Sequence, residues 1–254
     1  RRELLSTGDV DSRRVVLDVA EGALRRLNAE NRIRSIMHRE GSIVRIGEKQ
    51  WDLSKKRHVY LIGAGKACNA MAMAVEKILG DYLTDGIAIV KIAEETDEFR
   101  KTRVFVGGHP IPNEAGLQAS REVLKLIDGA CAEDLFFCVM SGGSSALMNC
   151  PVEGLTLQDE IDTTNILLKS GANIREINAV RRHISAMNGG RMAQRIAEKG
   201  AELVGFNISD SVAYGPTGDI SVPWENFSAT PMGPDQTTVE DALAVIRDYD
   251  LENR

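Results

Sequence analysis

Four short stretches of this sequence place glycine, hydroxyl or charged residues directly after apolar runs. The first is Gly63-Ala64-Gly65-Lys66, which ends the run "HVYLIG" and leads into an alanine- and methionine-rich segment. Glycines at Gly63 and Gly65 let backbone approach a ligand closely, and the N–H groups of a following helix start attract anions. Lys66 would add a positive side chain at that point. The second stretch is "GGHPIPN" at 107–113, in which Gly108 and His109 end an apolar run and two prolines stiffen the turn after them. His109 could bond a substrate hydroxyl or carboxylate, or cap its own turn.

The third stretch, "SGGSSAL" at 141–147, comes after "LFFCVM". Ser141, Gly142, Gly143, Ser144 and Ser145 put several backbone N–H groups and three hydroxyls into one concavity, which suits a carboxylate or a phosphate. The fourth is Ser209-Asp210. Asp210 could hold Mg²⁺ through water, accept a proton from a substrate hydroxyl, or cap a turn. Between the last two lies "INAVRRHISAMNGGRMA" at 177–193, where Arg181 and Ser185 stand four residues apart and share a helix face. They read as substrate contacts or as part of a solvated basic face.

Several better-known sites do not match. No GxxxxGK[ST] surrounds Lys66, and GxGxxG fails because Cys68 stands three after Gly65. A serine-hydrolase GxSxG fails because Ala146 stands two after Ser144. Together, two glycine-rich cradles, a lysine and an aspartate on one sheet edge describe a phosphoryl-transfer site.

The elements that must position these loops alternate along the chain. Apolar, β-rich runs predict strands at 58–63, 86–92, 102–108, 135–140 and 202–209. Helical periodicity appears at 13–28, 66–79, 114–128, 156–169, 174–186 and 190–198. In 13–28, Val15, Val16, Val19, Ala20, Ala23 and Leu24 form the apolar stripe. This is an α/β pattern with a largely parallel sheet, and ligands of such sheets sit beyond the carboxyl ends of the strands. Residues 211–236 hold four of the seven prolines and no clear period, so they predict a long loop. A closing helix at 237–250 has Thr237 or Thr238 as its cap, with Glu240 and Asp241 in its first turn.

Composition bounds the function. The 254 residues carry a net charge of −6, with 43% hydrophobic and 27% charged residues. That balance argues against nucleic acid or an anionic membrane as the main partner and leaves small anionic substrates open. Cys68, Cys131, Cys138 and Cys150 show no zinc spacing, so structural roles in a reducing cytoplasm are expected. No apolar run reaches the length of a membrane span of about 18 residues.

"GAGKA" at 63–67, "GGHPIPN" at 107–113, "SGGSSAL" at 141–147, "INAVRRHIS…GGR" at 177–191 and "SD" at 209–210 occur in this order and spacing. As a set they resemble the MOFRL-type glycerate 2-kinase family, whose members are often labelled hydroxypyruvate reductase. The resemblance runs from about residue 13 to the end of the chain. It implies a Rossmann-like three-layer sandwich and ATP-dependent phosphorylation of D-glycerate at its 2-hydroxyl, with Mg²⁺, giving 2-phosphoglycerate. It makes Lys66 the candidate catalytic lysine and Asp210 its acidic partner, and it assigns no metal ligand. It also implies that residues 1–254 form the family's N-terminal domain without the C-terminal domain, and that this chain alone is inactive. A homodimer stays open.

The sequence departs from the family pattern in two places. Asn188 stands where members usually carry Lys, and Ser211-Val212 comes after Asp210 where a second acid is usual, with Asp219 a candidate replacement. Two alternatives stay open beside the kinase: an NAD(P)H-dependent hydroxypyruvate reductase, and a non-catalytic domain that holds an anionic metabolite.

Overall fold

The computed structural model describes residues 1–95, 97–208 and 230–252. The chain opens with α1 (Val10–Leu27) and α2 (Ala29–Ile36), whose first N–H groups are capped by the side chains of Asp9 and Asn28. Next comes a three-stranded antiparallel meander, β1 (Met37–Glu40), β2 (Ile43–Ile46) and β3 (Lys49–Asp52). The main body then runs β4 (Val59–Gly65), α3 (Cys68–Leu79), β5 (Asp85–Val90), β6 (Thr102–Val106), α4 (Glu114–Asp128) and β7 (Leu135–Ser141). It continues through α5 (Ser144–Leu147), α6 (Leu157–Ser170), α7 (Ile174–Ile184), α8 (Arg191–Glu198), β8 (Glu202–Ile208) and α9 (Val239–Asp248).

The five main strands pair in parallel in the order β6-β5-β4-β7-β8. From β4 the chain winds outward to β5 and β6, then crosses back to β7 on the other side of β4. The order therefore reverses between β4 and β7, and a crevice opens at their carboxyl ends.

β4 and β7 are buried along their whole length, so alternate residues feed two separate cores. Leu61 and Phe137 pack with Met71, Val75 and Leu79 of α3 on one face. Ile62 and Phe136 pack with Val123 and Ile127 of α4 and Met192 and Ile196 of α8 on the other. The result is a three-layer α/β sandwich, with the parallel sheet that the alternation predicts and the layering that the family resemblance implies. Each fully buried aliphatic or aromatic side chain contributes about 1.5–3 kcal/mol, so these two cores fix the sheet from which the loops project.

The helix at the N-terminus forms as its periodicity predicts, but no described element covers its apolar stripe. Val15, Val16, Val19 and Leu24 are 63–69% exposed. At the other end of the described chain, α9 does bury its apolar face: Ala242 and Val245 pack against Leu167 of α6 and Ile177 and Val180 of α7. Its cap is Thr238, which shares a capping box with Asp241.

An ion pair between a buried carboxylate and a half-exposed guanidinium closes the amino ends of the strands. Asp134, fully buried just before β7, accepts from the Arg57 guanidinium, with Nε–H to Oδ1 at 3.0 Å, and from the Cys131 N–H at 2.9 Å. Burial alone would push this carboxyl up. The Arg57 and Cys131 hydrogen bonds and the nearby Arg57 and His58 charges outweigh that and hold it below the usual carboxylate range.

Candidate active site

The carboxyl ends of β4 and β7 lie side by side, with Ala64 opposite Met140. Directly beyond them the two glycine loops lock together. The Lys66 N–H donates to the Gly142 carbonyl at 3.0 Å, and the Ala67 N–H donates to the Ser141 Oγ at 3.0 Å. Gly65, at φ +134°, sits so close to Ser141 that a methyl group there would overlap the Ser141 Oγ and lie 2.7–2.8 Å from its backbone O and N. Only glycine fits this crossing.

Gly143 makes the second close approach. It adopts the left-handed conformation (φ +92°) as α5 begins. A methyl group on it would lie 2.8 Å from the His109 Cδ2, 3.0 Å from the His109 Nε2 and 3.4 Å from the Lys66 Cε. Three stretches far apart in sequence thus converge: the lysine after β4, the histidine after β6 and the serine–glycine bend after β7. Lys66 is exposed, His109 half-buried and Ser144 buried. The first N–H groups of a helix have no intrahelical acceptor, so those of Ser144 and Ser145, which open α5, are left as donors.

The loop carrying His109 is held from both sides. Asn113 caps α4 by accepting from the Gly116 N–H at 2.9 Å, and its amide donates to the Val106 carbonyl at 3.2 Å. Arg181 reaches across from α7 and donates Nη2–H to the Pro110 carbonyl at 3.2 Å. Gly108 lies against the Ile111 carbonyl and the Asn113 N–H in the same turn, where no side chain would fit.

The structure places other candidates away from this corner. Gly63 lies inside β4, with Cys68 Sγ and Val139 Cγ2 at 2.6 and 2.9 Å from where its side chain would begin, so it serves helix–strand packing. Ser185 is fully buried at the end of α7, where its Oγ accepts from the Met187 and Asn188 N–H groups at 3.2 and 3.1 Å. It turns the chain rather than facing a ligand. Ser209 and Asp210 lie outside the described residues, as does most of the predicted loop at 211–236.

Asn188 has a role that the residue pattern did not disclose. It is buried, and its amide donates to the Ser145 carbonyl at 3.0 Å, bracing the serine–glycine bend from behind. Arg191 holds the same turn by donating Nη1–H to the Ser185 carbonyl at 2.7 Å and to the Arg182 carbonyl. Arg182, itself buried, pairs with Asp235 at 3.2 Å and so ties α7 to the segment that leads into α9. Cys68 and Cys138 are fully buried, and burial pushes the Cys68 thiol up to about 12, which keeps it protonated and inert.

Several known proteins are similar to this chain in sequence or in fold. A protein of Pyrococcus horikoshii named Glycerate 2-kinase is 39% identical over 206 residues, covering 80% of this chain and 42% of its own. One of Thermotoga maritima named D-glycerate 2-kinase is 36% identical over 194 residues, covering 76% of this chain and 44% of its own. The chain thus spans less than half the length of these curated relatives. The crystal structure of the PH0495 protein from Pyrococcus horikoshii superposes with a TM-score of 0.77 at 32% identity, over 97% of this chain and 53% of that one. The crystal structure of a Thermotoga maritima glycerate kinase gives 0.74 at 28% identity, over 94% and 52%. These relatives bear out the resemblance carried by the loop motifs. The family model described as Domain of unknown function (DUF4147) matches residues 15–254, and the chain belongs to that family.

Proposed function

We propose that this corner is one wall of a phosphoryl-transfer site and that the protein carrying it phosphorylates D-glycerate at the 2-hydroxyl, using ATP and Mg²⁺. The observation that carries the reading is the meeting of Lys66, His109 and Gly143 at the reversal point of the sheet. The names of the relatives supply the substrate class. In this reaction the 2-hydroxyl oxygen bonds to the γ-phosphorus, the bond from that phosphorus to ADP breaks, and the hydroxyl proton leaves. Positioning and charge stabilisation carry most of the catalysis.

Lys66 neutralises negative charge on the transferring phosphoryl group or on the glycerate carboxylate. The Ser144 and Ser145 N–H groups and hydroxyls cradle an anionic group, and His109 bonds a substrate oxygen from the facing loop. A cradle whose closest wall a single methyl would fill suits phosphate or carboxylate oxygens, which approach backbone directly. Mg²⁺ bound with the nucleotide supplies further neutralisation of phosphate charge. Among the described residues no three acidic, histidine or cysteine side chains gather around a common point, so the described wall is its cationic and N–H-donating side. Asp210 is assigned to the substrate hydroxyl or the metal on the resemblance alone.

The test is turnover of the protein at its full natural length with ATP, Mg²⁺ and D-glycerate, monitored as 2-phosphoglycerate. Lys66→Met is expected to lower kcat by about 10²- to 10³-fold, the usual effect of removing one preorganised charge-stabilising group. Its unfolding midpoint should stay in place, because Lys66 is exposed. Wild-type turnover in that variant would remove Lys66 from the mechanism. Oxidation of NADH with hydroxypyruvate, and no 2-phosphoglycerate, would replace the reading with a reductase.

A further inference from the structure

A second lysine ends a strand beside Lys66. Gly65 of β4 stands opposite Val90 of β5, so Lys66 and Lys91 are the next residues on adjacent strands. Neighbouring strands lie about 4.8 Å apart, a spacing that two lysine side chains readily span. On its other side β5 pairs with β6, with Val90 opposite Val106. Lys91 therefore stands between the strand that ends in Lys66 and the strand that leads to His109. It is exposed, and among the described residues its ammonium has no hydrogen-bond or ion-pair partner.

The sheet also decides which face Lys91 belongs to. Ile87 and Ile89 of β5 pack in the core that includes Leu147 of α5, and Lys91 continues that alternating set. At the last step inside the fold, Ile89 Cγ2 and Leu147 Cδ2 each lie 3.0 Å from where a Gly107 side chain would begin. Lys91 is the next residue of this set, at the end of the face on which the cradle helix α5 sits. The backbone around it is held from both sides. The Gly107 N–H donates to the Val90 carbonyl at 2.9 Å, and the buried Asn69 of α3 donates Nδ2–H to the Ile92 carbonyl at 3.1 Å. Asn69 and the Glu94 N–H also donate to Asp97, so that carboxylate is engaged within its own loop.

We propose that Lys91 is the carboxylate-binding residue of the site. Lys66 and the serine–glycine bend take the phosphoryl group of a 2-phosphorylated three-carbon acid, and Lys91 takes the carboxylate. The assignment rests on the phosphoryl-transfer reading and deepens it, since Lys66 alone could meet either anion. A bend rich in N–H groups and hydroxyls suits a phosphoryl group, whose oxygens accept several hydrogen bonds at once. A single ammonium one strand away suits a second, separate charge. In 2-phosphoglycerate the carboxylate and the phosphate ester oxygen are attached to the same carbon, so two neighbouring strand ends can hold both groups. Lys91 also supplies selectivity, because a ligand lacking the carboxylate forgoes its charge-assisted contact.

The test compares two ligands that differ at one carbon. Glycerol 2-phosphate has a hydroxymethyl group where 2-phosphoglycerate has its carboxylate. Titrated into the ¹⁵N-labelled wild-type chain, 2-phosphoglycerate is expected to bind about tenfold more tightly than glycerol 2-phosphate. Lys91→Met should erase that preference while changing glycerol 2-phosphate binding by less than about twofold, and Lys91→Arg should keep most of it. Lys66→Met should instead weaken both ligands alike. Both lysines are exposed, so these variants are expected to fold. No preference in the wild type, a preference that survives in Lys91→Met, or equal weakening of both ligands in Lys91→Met would overturn the assignment and leave the kinase reading standing. Wild-type binding of both ligands by Lys66→Met would instead remove Lys66 from the corner, and with it the reading on which the assignment rests.

Discussion

Asp134 and Glu160 are both carboxylates taken out of water, and the fold treats them in opposite ways. Asp134, at the amino ends of the strands, receives Arg57, the Cys131 N–H and the neighbouring His58, and its pKa falls. Glu160, behind the loops at the carboxyl ends, has an oxygen with no hydrogen-bond partner, and its pKa rises. One strand, β7, joins the two regions, running from just after Asp134 to the cradle at Ser141. Where the sheet has only to be closed, the buried carboxylate has both oxygens matched. At the carboxyl ends, where the two glycine loops cross, the backbone is crowded to the limit that glycine allows, and Asn149 and Glu160 are left partly unmatched. Incomplete matching is costly to stability, and costs of that kind concentrate at functional sites.

The largest effect should come from breaking the crowded end. Gly65→Ala forces a methyl into the Ser141 backbone at a left-handed residue, and overpacking plus backbone strain should cost about 4 kcal/mol of unfolding free energy. Urea unfolding measures this directly, and a loss under about 1 kcal/mol would mean that the two loops are not locked as described.

The next effect separates the two carboxylates by pH. Glu160 binds its proton more tightly in the folded chain, from the usual 4.5 up to about 7. Its penalty is therefore absent below the ordinary glutamate range and grows as pH rises toward 7, reaching about 3 kcal/mol. Glu160→Gln should abolish that slope in unfolding free energy. Asp134 behaves in the reverse sense. Its contribution is present above the ordinary aspartate range and is lost as pH falls through its lowered pKa. Asp134→Asn should lower the neutral-pH Tm by several degrees and weaken the acid-side loss of stability. The effect is smaller because the half-exposed Arg57 can turn to water once its partner is gone. Equal pH profiles for the two variants would dissolve the comparison.

Much of the sheet was legible because β4 and β7 are continuous apolar runs stopped by glycine, a pattern that marks a strand covered on both faces. The meander β1–β3 was not. Its strands are four residues long, and "MHRE" and "KQWD" show no apolar alternation. The stripe on α1 was read correctly as helix, but periodicity says which residues share a face and not what covers it. The meeting of Lys66, His109 and the serine–glycine bend was readable from composition once strand ends were assigned. Gly63 and Ser185 were grouped with that site because their types fit, and packing gives them structural roles instead. The burial of Asn188, Asn149 and Glu160 is a tertiary fact with no local signature.

The central claim is that Lys66, His109 and the bend at 141–145 form one anion-binding corner. Titration of the ¹⁵N-labelled chain with 2-phosphoglycerate tests it most directly. The amides of Lys66, His109, Gly143 and Ser144 are expected to shift together along one saturating curve, and Lys66→Met should weaken that curve about tenfold or more. Shifts confined to other surfaces, or an unchanged curve in Lys66→Met, would contradict the account.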